Sequence, residues 1–234
     1  MGKIIHPAIK LEPLSFRDDG GHYYQSKNGL WYQSVTTFLG KIGDQSGLDR
    51  WRQRVGQKEA DRIVARACAR GTAVHHLLES YLIHGDADLT GAQPMIADLY
   101  HQIRFQLKAH LSEVYMLETA IYSDHYQLAG TPDLIGIWDG HLSIIDFKTA
   151  GNRKQDIYVR KHFLQAAAYA LLFDETMKHQ RAFKPTQLVI LVANEAEPPA
   201  QVFVEPIASH VIEFDRLWQA SHLAGHTNLQ EVQS

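Results

Sequence analysis

Between residues 74 and 82 the apolar positions Val74, Leu77, Leu78, Tyr81 and Leu82 recur at i, i+3, i+4, i+7 and i+8. This is the stripe of a helix packed along one face. The helical pattern extends from Leu48 to His84, with a break expected at Gly71. Further helices are predicted from about Pro94 to Leu111, from about Tyr158 to His179, and from Ile207 to Leu223. Ser34 reads as the N-cap of a short helix ending at Leu39. Elsewhere the period falls to two, predicting strands over Tyr115–Ser123, Leu134–Trp138, Leu142–Phe147, Leu188–Val192 and Gln201–Val204. Asp139-Gly140 joins two of them as a two-residue hairpin turn. Residues 1–33 carry Pro7, Pro13, Gly20, Gly21 and a Tyr/Trp cluster. They read as an extended arm or a small hairpin around Lys27-Asn28-Gly29.

Helices, three strands, a helix and further strands describe an α/β or α+β domain with a mixed sheet. With 234 residues, 45% of them hydrophobic, and no internal repeat, the chain is expected to form one domain with ample core. Its parts would be an N-terminal arm (1–33), a helical region (34–111), a sheet core (115–205) and a C-terminal helix and tail (207–234). The net charge of −3 excludes a generally basic nucleic-acid coat, so any electrostatic footprint is local. Cys68 is the single cysteine. It excludes an internal disulfide or a cysteine-ligated cluster and suits a reducing compartment. MGKIIHPAIKLEP lacks the apolar core of a signal peptide, and no apolar run reaches membrane-spanning length. A soluble cytoplasmic protein without a membrane partner is expected.

Two acids and a lysine interrupt the greasy hairpin AGTPDLIGIWDGHLSIIDFKTA. With Asp139-Gly140 as the turn, Trp138 faces His141 and the register places Asp133 opposite Asp146. Directly opposed residues hold their Cβ atoms about 4.5–5.5 Å apart. At an effective dielectric near 20, two full charges there repel by roughly 3 kcal/mol. Either one acid is protonated or a cation sits between them, and hard divalent ions choose such oxygen cages. Lys148 falls on the same face two residues beyond Asp146. Carboxylates, metal and ammonium together make a site for attacking a phosphate ester. The plainer alternative is an ion pair in which Lys148 neutralises the acids.

Three other groups bear on this reading. His75 and Glu79 stand one turn apart at the border of the apolar stripe, as an ordinary surface pair or as groups reaching a common site. Gln165 and Tyr169 share that spacing in FLQAAAYALLF, where a buried amide needs a partner. It could bond backbone, or point over the sheet edge toward the acids. Arg54, Lys58, Arg62, Arg66 and Arg70 recur every fourth residue and form a slowly winding basic ridge ending near His75. The ridge is either a solvated face or a phosphate track.

G-T-x-x-H-x-x-x-E, G-T-P-D, D-x-K-T and Q-x-x-x-Y, in this order, resemble the PD-(D/E)xK nuclease superfamily and within it the RecB-like exonuclease branch. QSVTTFLGK followed by LDRWRQRVG looks more specifically like phage exonucleases and the mitochondrial genome maintenance exonuclease. Roughly residues 31–193 are covered. The resemblance implies a restriction-endonuclease-like αβββαβ core with an added N-terminal helical region. It implies that Asp133 and Asp146, with the Phe147 carbonyl, hold Mg²⁺ or Mn²⁺, and that His75 is an extra ligand. Lys148 would orient the attacking water and stabilise the transition state. Gln165 and Tyr169 would organise substrate, with Thr149, Ser34 and Thr36 as further substrate-binding positions beside the basic ridge. Iron–sulfur members of the branch need four cysteines, so no such cluster is expected here. The implied activity is a metal-dependent DNA exonuclease. It would act on single strands with a free end or on resected ends, in replication, recombination or repair, with partner proteins of those processes. A structure-selective or sequence-specific endonuclease and a catalytically silent binding module are the alternatives.

Overall fold

A computed structural model describes residue 9 and residues 11–43, 46–178 and 184–231, with side chains as far as 223. The predicted helix end at His179 and the tail at 232–234 lie outside the described residues. The elements are β1 (Phe16–Asp18), β2 (His22–Gln25), β3 (Trp31–Ser34), α1 (Val35–Ile42), α2 (Ser46–Val55), α3 (Gln57–His84) and α4 (Pro94–His110). There follow β4 (Leu111–Leu117), β5 (Ile121–Ser123), β6 (Leu128–Gly130), β7 (Leu134–Trp138), β8 (His141–Ala150), α5 (Asp156–Thr176), β9 (Gln187–Asn194), β10 (Gln201–Pro206) and α6 (Ile207–Glu231).

The main sheet has the order β10-β9-β8-β7-β4, antiparallel throughout except where β8 and β9 run parallel across the α5 crossover. With α4 ahead of β4, β7 and β8, and α5 leading to β9, the αβββαβ order is present inside a mixed α/β fold. Alternation along β9 shows how the two faces are filled. Leu188, Ile190 and Val192 pack with α5 and Phe214 of α6, while Val189, Leu191 and Ala193 pack with α3 and α4. Each helical layer thus owns one face of the same strands.

The β7–β8 hairpin turns at Asp139-Gly140 with φ of 47° and 82°, the positive values a type I′ turn requires. Its register runs from Trp138↔His141 to Leu134↔Ile145, as predicted, and ends one pair short of Asp133 and Asp146. The arm is a hairpin: β2 pairs with β3 around Gly29, whose φ is 81°.

Several predicted boundaries differ. The helical break falls at Gly56, φ 85°, and not at Gly71, where α3 runs through unbroken. The predicted strand Tyr115–Ser123 is two strands in different sheets, separated at Glu118 with φ 43°. A second sheet, β1-β2-β3-β6-β5, was not anticipated, because β6 is three residues long and joins β3 in parallel. No described helix is long and apolar enough to cross a membrane.

Candidate active site

On β8, Ile144 faces the α5 layer and Ile145 and Phe147 face α3 and α4, so Asp146 and Lys148 take the α5 face. Asp146 is 1% exposed. Its Oδ1 accepts from Lys148 Nζ at 2.5 Å and from Gln165 Nε2 at 3.4 Å. Its Oδ2 is buried with no hydrogen-bond partner among the described residues. The Gln165 amide also lies 3.4 Å from the Tyr169 hydroxyl, so both groups converge on the acid.

Asp133 leaves the ladder just before β7. Its carbonyl accepts from Glu118 N at 3.1 Å, and its Oδ2 accepts from Phe147 N at 2.6 Å. The carboxylate is therefore held by the backbone next to Asp146, and the opposed ladder pair of the sequence reading does not form. From α3, His75 places Nε2 3.0 Å from the Phe147 carbonyl oxygen. Its Nδ1 lies 3.6 Å from both Asp133 Oδ1 and Glu118 Oε1. His75, Glu118 and Asp133 each offer a ligand atom within 4.8 Å of the others'.

The electrostatics follow from burial against charge. Burial raises both the Asp133 and Asp146 carboxyls, further than the neighbouring Lys148 pulls them down. Burial acts to lower His75, but Asp133 and Glu118 override it and raise the imidazole to about 9. Burial also opposes the Lys148 ammonium, yet Asp146 and Asp133 hold it above the ordinary lysine value. Lys148 and His75 thus answer the repulsion that the sequence left open.

Gly130 gives the Tyr169 ring its place, since a Cβ there would lie 2.7 Å from Tyr169 Cε1. Gly130→Ala is expected to displace the buried ring, at a cost of about 1–3 kcal/mol. Both melting temperature and turnover should fall. An unchanged melting temperature would mean that the ring moves freely and that Gly130 does not position it.

The remaining predicted residues are spread out. Ser34 caps α1, accepting from Thr37 N at 3.0 Å with Thr36 Oγ1 at 2.9 Å. It pairs with Ala129 of β6, so this end of α1 is tied to the segment leading to Asp133. Arg70 donates to Thr149 Oγ1 at 3.1 Å and pairs with Glu195, pinning α3 to the ends of β8 and β9. Arg62 pairs with Glu59. Arg54 lies on α2, across the Gly56 break from Lys58 and Arg66, so the ridge is not continuous on one helix. Glu79 is absent from the metal-competent cluster, and Glu118 stands there instead.

The profile of the PD-(D/E)XK nuclease superfamily matches residues 92–230, more than half of the chain. The protein belongs to that superfamily. Asp133, Asp146 and Lys148 of this nuclease all lie inside the matched span. A comparison with curated proteins found no match. Among solved structures, the nuclease is similar to a "Putative exonuclease" from Eubacterium rectale at 10% identity and a TM-score of 0.44, over 66% of this chain and 65% of that one.

Members of the superfamily use divalent metals, and the donors here fit one. His75, Glu118 and Asp133 bring one imidazole and two carboxylates together as a mainly oxygen set, with the Phe147 carbonyl at His75 Nε2. Asp146, a predicted ligand, lies outside that cluster but keeps Oδ2 buried without a hydrogen-bond partner among the described residues. Sequence reasoning missed Glu118, having placed it inside a strand. The charge interrupting Met116-Leu117 and Ile121 was the available signal.

Proposed function

We propose that the protein is a Mg²⁺- or Mn²⁺-dependent DNA exonuclease of the RecB-like branch. It would act in the cytoplasm as a single domain on single-stranded or resected ends during replication, recombination or repair. The supporting observation is the cluster of His75, Glu118 and Asp133, with the unpartnered Oδ2 of buried Asp146 and its neighbour Lys148 on β8.

A bound divalent ion would supply Lewis-acid polarisation of the phosphate and a nucleophilic water at neutral pH. The chain's own residues do the rest. Lys148, held above the ordinary lysine value, stays cationic and offers an ammonium to the attacking water and to the charge that develops on phosphorus oxygens. Gln165 steadies Asp146, and Tyr169, held up by burial, stays neutral as a hydrogen-bond donor beside it. Thr149 is fixed by Arg70 next to Lys148.

The free-end requirement draws on α2, which buries no residue, and on residues 61–66 of α3, all exposed. These segments stand away from the core and carry Arg54 and Arg66, which with the exposed Lys58 between them would track a strand toward His75. A threaded strand needs an end. A covalently closed single-stranded circle should therefore survive conditions that degrade the same sequence once linearised, in Mg²⁺ or Mn²⁺ but not in EDTA. Rapid cutting of the circle would favour the endonuclease reading. No cutting of either form in any divalent metal would favour the silent binding module.

A further inference from the structure

A cavity of 360 Å³ adjoins Lys148 and Thr149 at the end of β8, walled by the opening turns of α5. Lys154, Tyr158, Lys161 and His162 line it, and no carboxylate does. The larger cavity between α3 and α4 differs in setting Asp88 against Arg66. The ammonium groups of Lys154 and Lys161 have no hydrogen-bond or ion-pair partner among the described residues. Arg70, Arg160 and Lys184, by contrast, each have an acid. Burial, then Lys154 and Lys148, hold Lys161 below the ordinary lysine value, so the three cations lie close enough to repel one another. Lys148 is paired with Asp146, but in a chain of net charge −3 the two lysines without an acid mark a place where an anion relieves the repulsion.

Its position suggests which anion. Tyr158, His162, Gln165 and Tyr169 lie at i, i+4, i+7 and i+11, a single stripe of α5. Gln165 reaches Asp146, and Tyr158 stands seven residues earlier, about 10 Å along the helix. A group bound there belongs to the neighbouring nucleotide and not to the phosphate under attack. Tyr158 is 62% exposed and Ile157 75%, so an aromatic face stands unburied at the rim of the cationic cavity. Flat rings beside cations are how single-stranded nucleic acid is held without sequence preference.

We propose that this cavity is a subsite for the nucleotide next to the scissile bond, with Lys154 and Lys161 on its phosphodiester and Tyr158 stacked on its base. The inference rests on the nuclease reading above and deepens it by assigning a second contact along the strand.

The test is equilibrium binding of a labelled single-stranded oligonucleotide to the full chain in EDTA across a range of KCl. Lys154→Gln/Lys161→Gln should lower the slope of log affinity against log salt by about 0.7, since both lysines are assigned to one phosphodiester. Tyr158→Ala should weaken binding about tenfold with the slope unchanged. Lys154 and Tyr158 are exposed, and Lys161, exposed at its surface yet partly desolvated, has no partner among the described residues to lose, so the melting temperatures should match wild type. A dinucleoside monophosphate should compete for the site more strongly than inorganic phosphate. Stronger competition by inorganic phosphate would assign a phosphate-monoester pocket and overturn the proposal. An unchanged slope in the lysine pair overturns it too, and the nuclease reading then still stands on cleavage of linear DNA. If the slopes shift as expected but the wild type cleaves no polynucleotide in any divalent metal, the subsite stands and the reaction does not.

Discussion

Asp133→Asn should lower cleavage more than about 10³-fold while leaving the metal-free protein close to wild type in stability. A metal ion supplies several kcal/mol of transition-state stabilisation, and each 1.36 kcal/mol is tenfold in rate. Asparagine keeps a carbonyl acceptor for the Phe147 N–H now bonded at 2.6 Å, so the backbone need not move. The carboxyl is raised in the folded state by burial. Between its unfolded and folded values the native protein therefore binds more protons than the unfolded chain, and stability declines as pH rises through that window. Asparagine removes that cost of burial, and with it the charge that raises His75, so the two effects oppose each other. Manganese should then separate the two proteins. At a hundredfold excess over its dissociation constant it adds about 2.7 kcal/mol to wild type. For a chain of this size that is a rise of about 5–10 °C, which the variant should lack. Near-wild-type turnover, or an equal rise in melting temperature, would remove Asp133 from the metal site.

The parts of this site that were legible in the sequence are those fixed by local rules. Asp139-Gly140 sets the hairpin register because few residue pairs tolerate φ of 47° and 82° in succession. Once the register holds, alternation decides that Asp146 and Lys148 share a face. Gln165 and Tyr169 were legible because an amide in so apolar a helix must find a polar partner.

What was not legible depends on contacts between distant segments. Gly56 and Gly71 look alike inside a helical pattern. Only the fold shows that the first is left-handed, while the second is helical and lies against Thr149 of β8. Arg70 continued the basic ridge on paper, yet its guanidinium turns to Glu195, 125 residues away. Glu118 reaches the site because its left-handed backbone ends β4 and its N–H bonds to the Asp133 carbonyl. The cationic cavity could have been suspected, since Tyr158 and Lys161 precede Gln165 within two turns of α5 and Lys154 stands just ahead of that helix. Nothing local shows that they lack acidic partners.

Lys148→Met should give the opposite thermal signature to Asp133→Asn. Turnover should fall about 10²–10³-fold, as when a single donor to a developing oxyanion is removed. Here, however, the metal-free protein should also be weakened. Lys148 Nζ lies 2.5 Å from Asp146 Oδ1, and Asp146 is 1% exposed, so methionine leaves a buried carboxylate without its counter-charge. Breaking such a pair from one side costs about 3–5 kcal/mol. The Asp146 carboxyl, already raised by burial, can take up a proton and hold the loss near the lower end, a fall of about 6–12 °C. A divalent ion on Asp146 Oδ2 supplies the missing positive charge, so manganese should narrow the gap to wild type instead of opening one. Melting curves with and without Mn²⁺, set beside turnover at saturating metal, read both effects. If Lys148→Met keeps wild-type turnover while losing stability, the lysine is only the ion-pair partner that the hairpin alone would have suggested. If it loses turnover and manganese fails to narrow the stability gap, Asp146 Oδ2 is not a metal ligand.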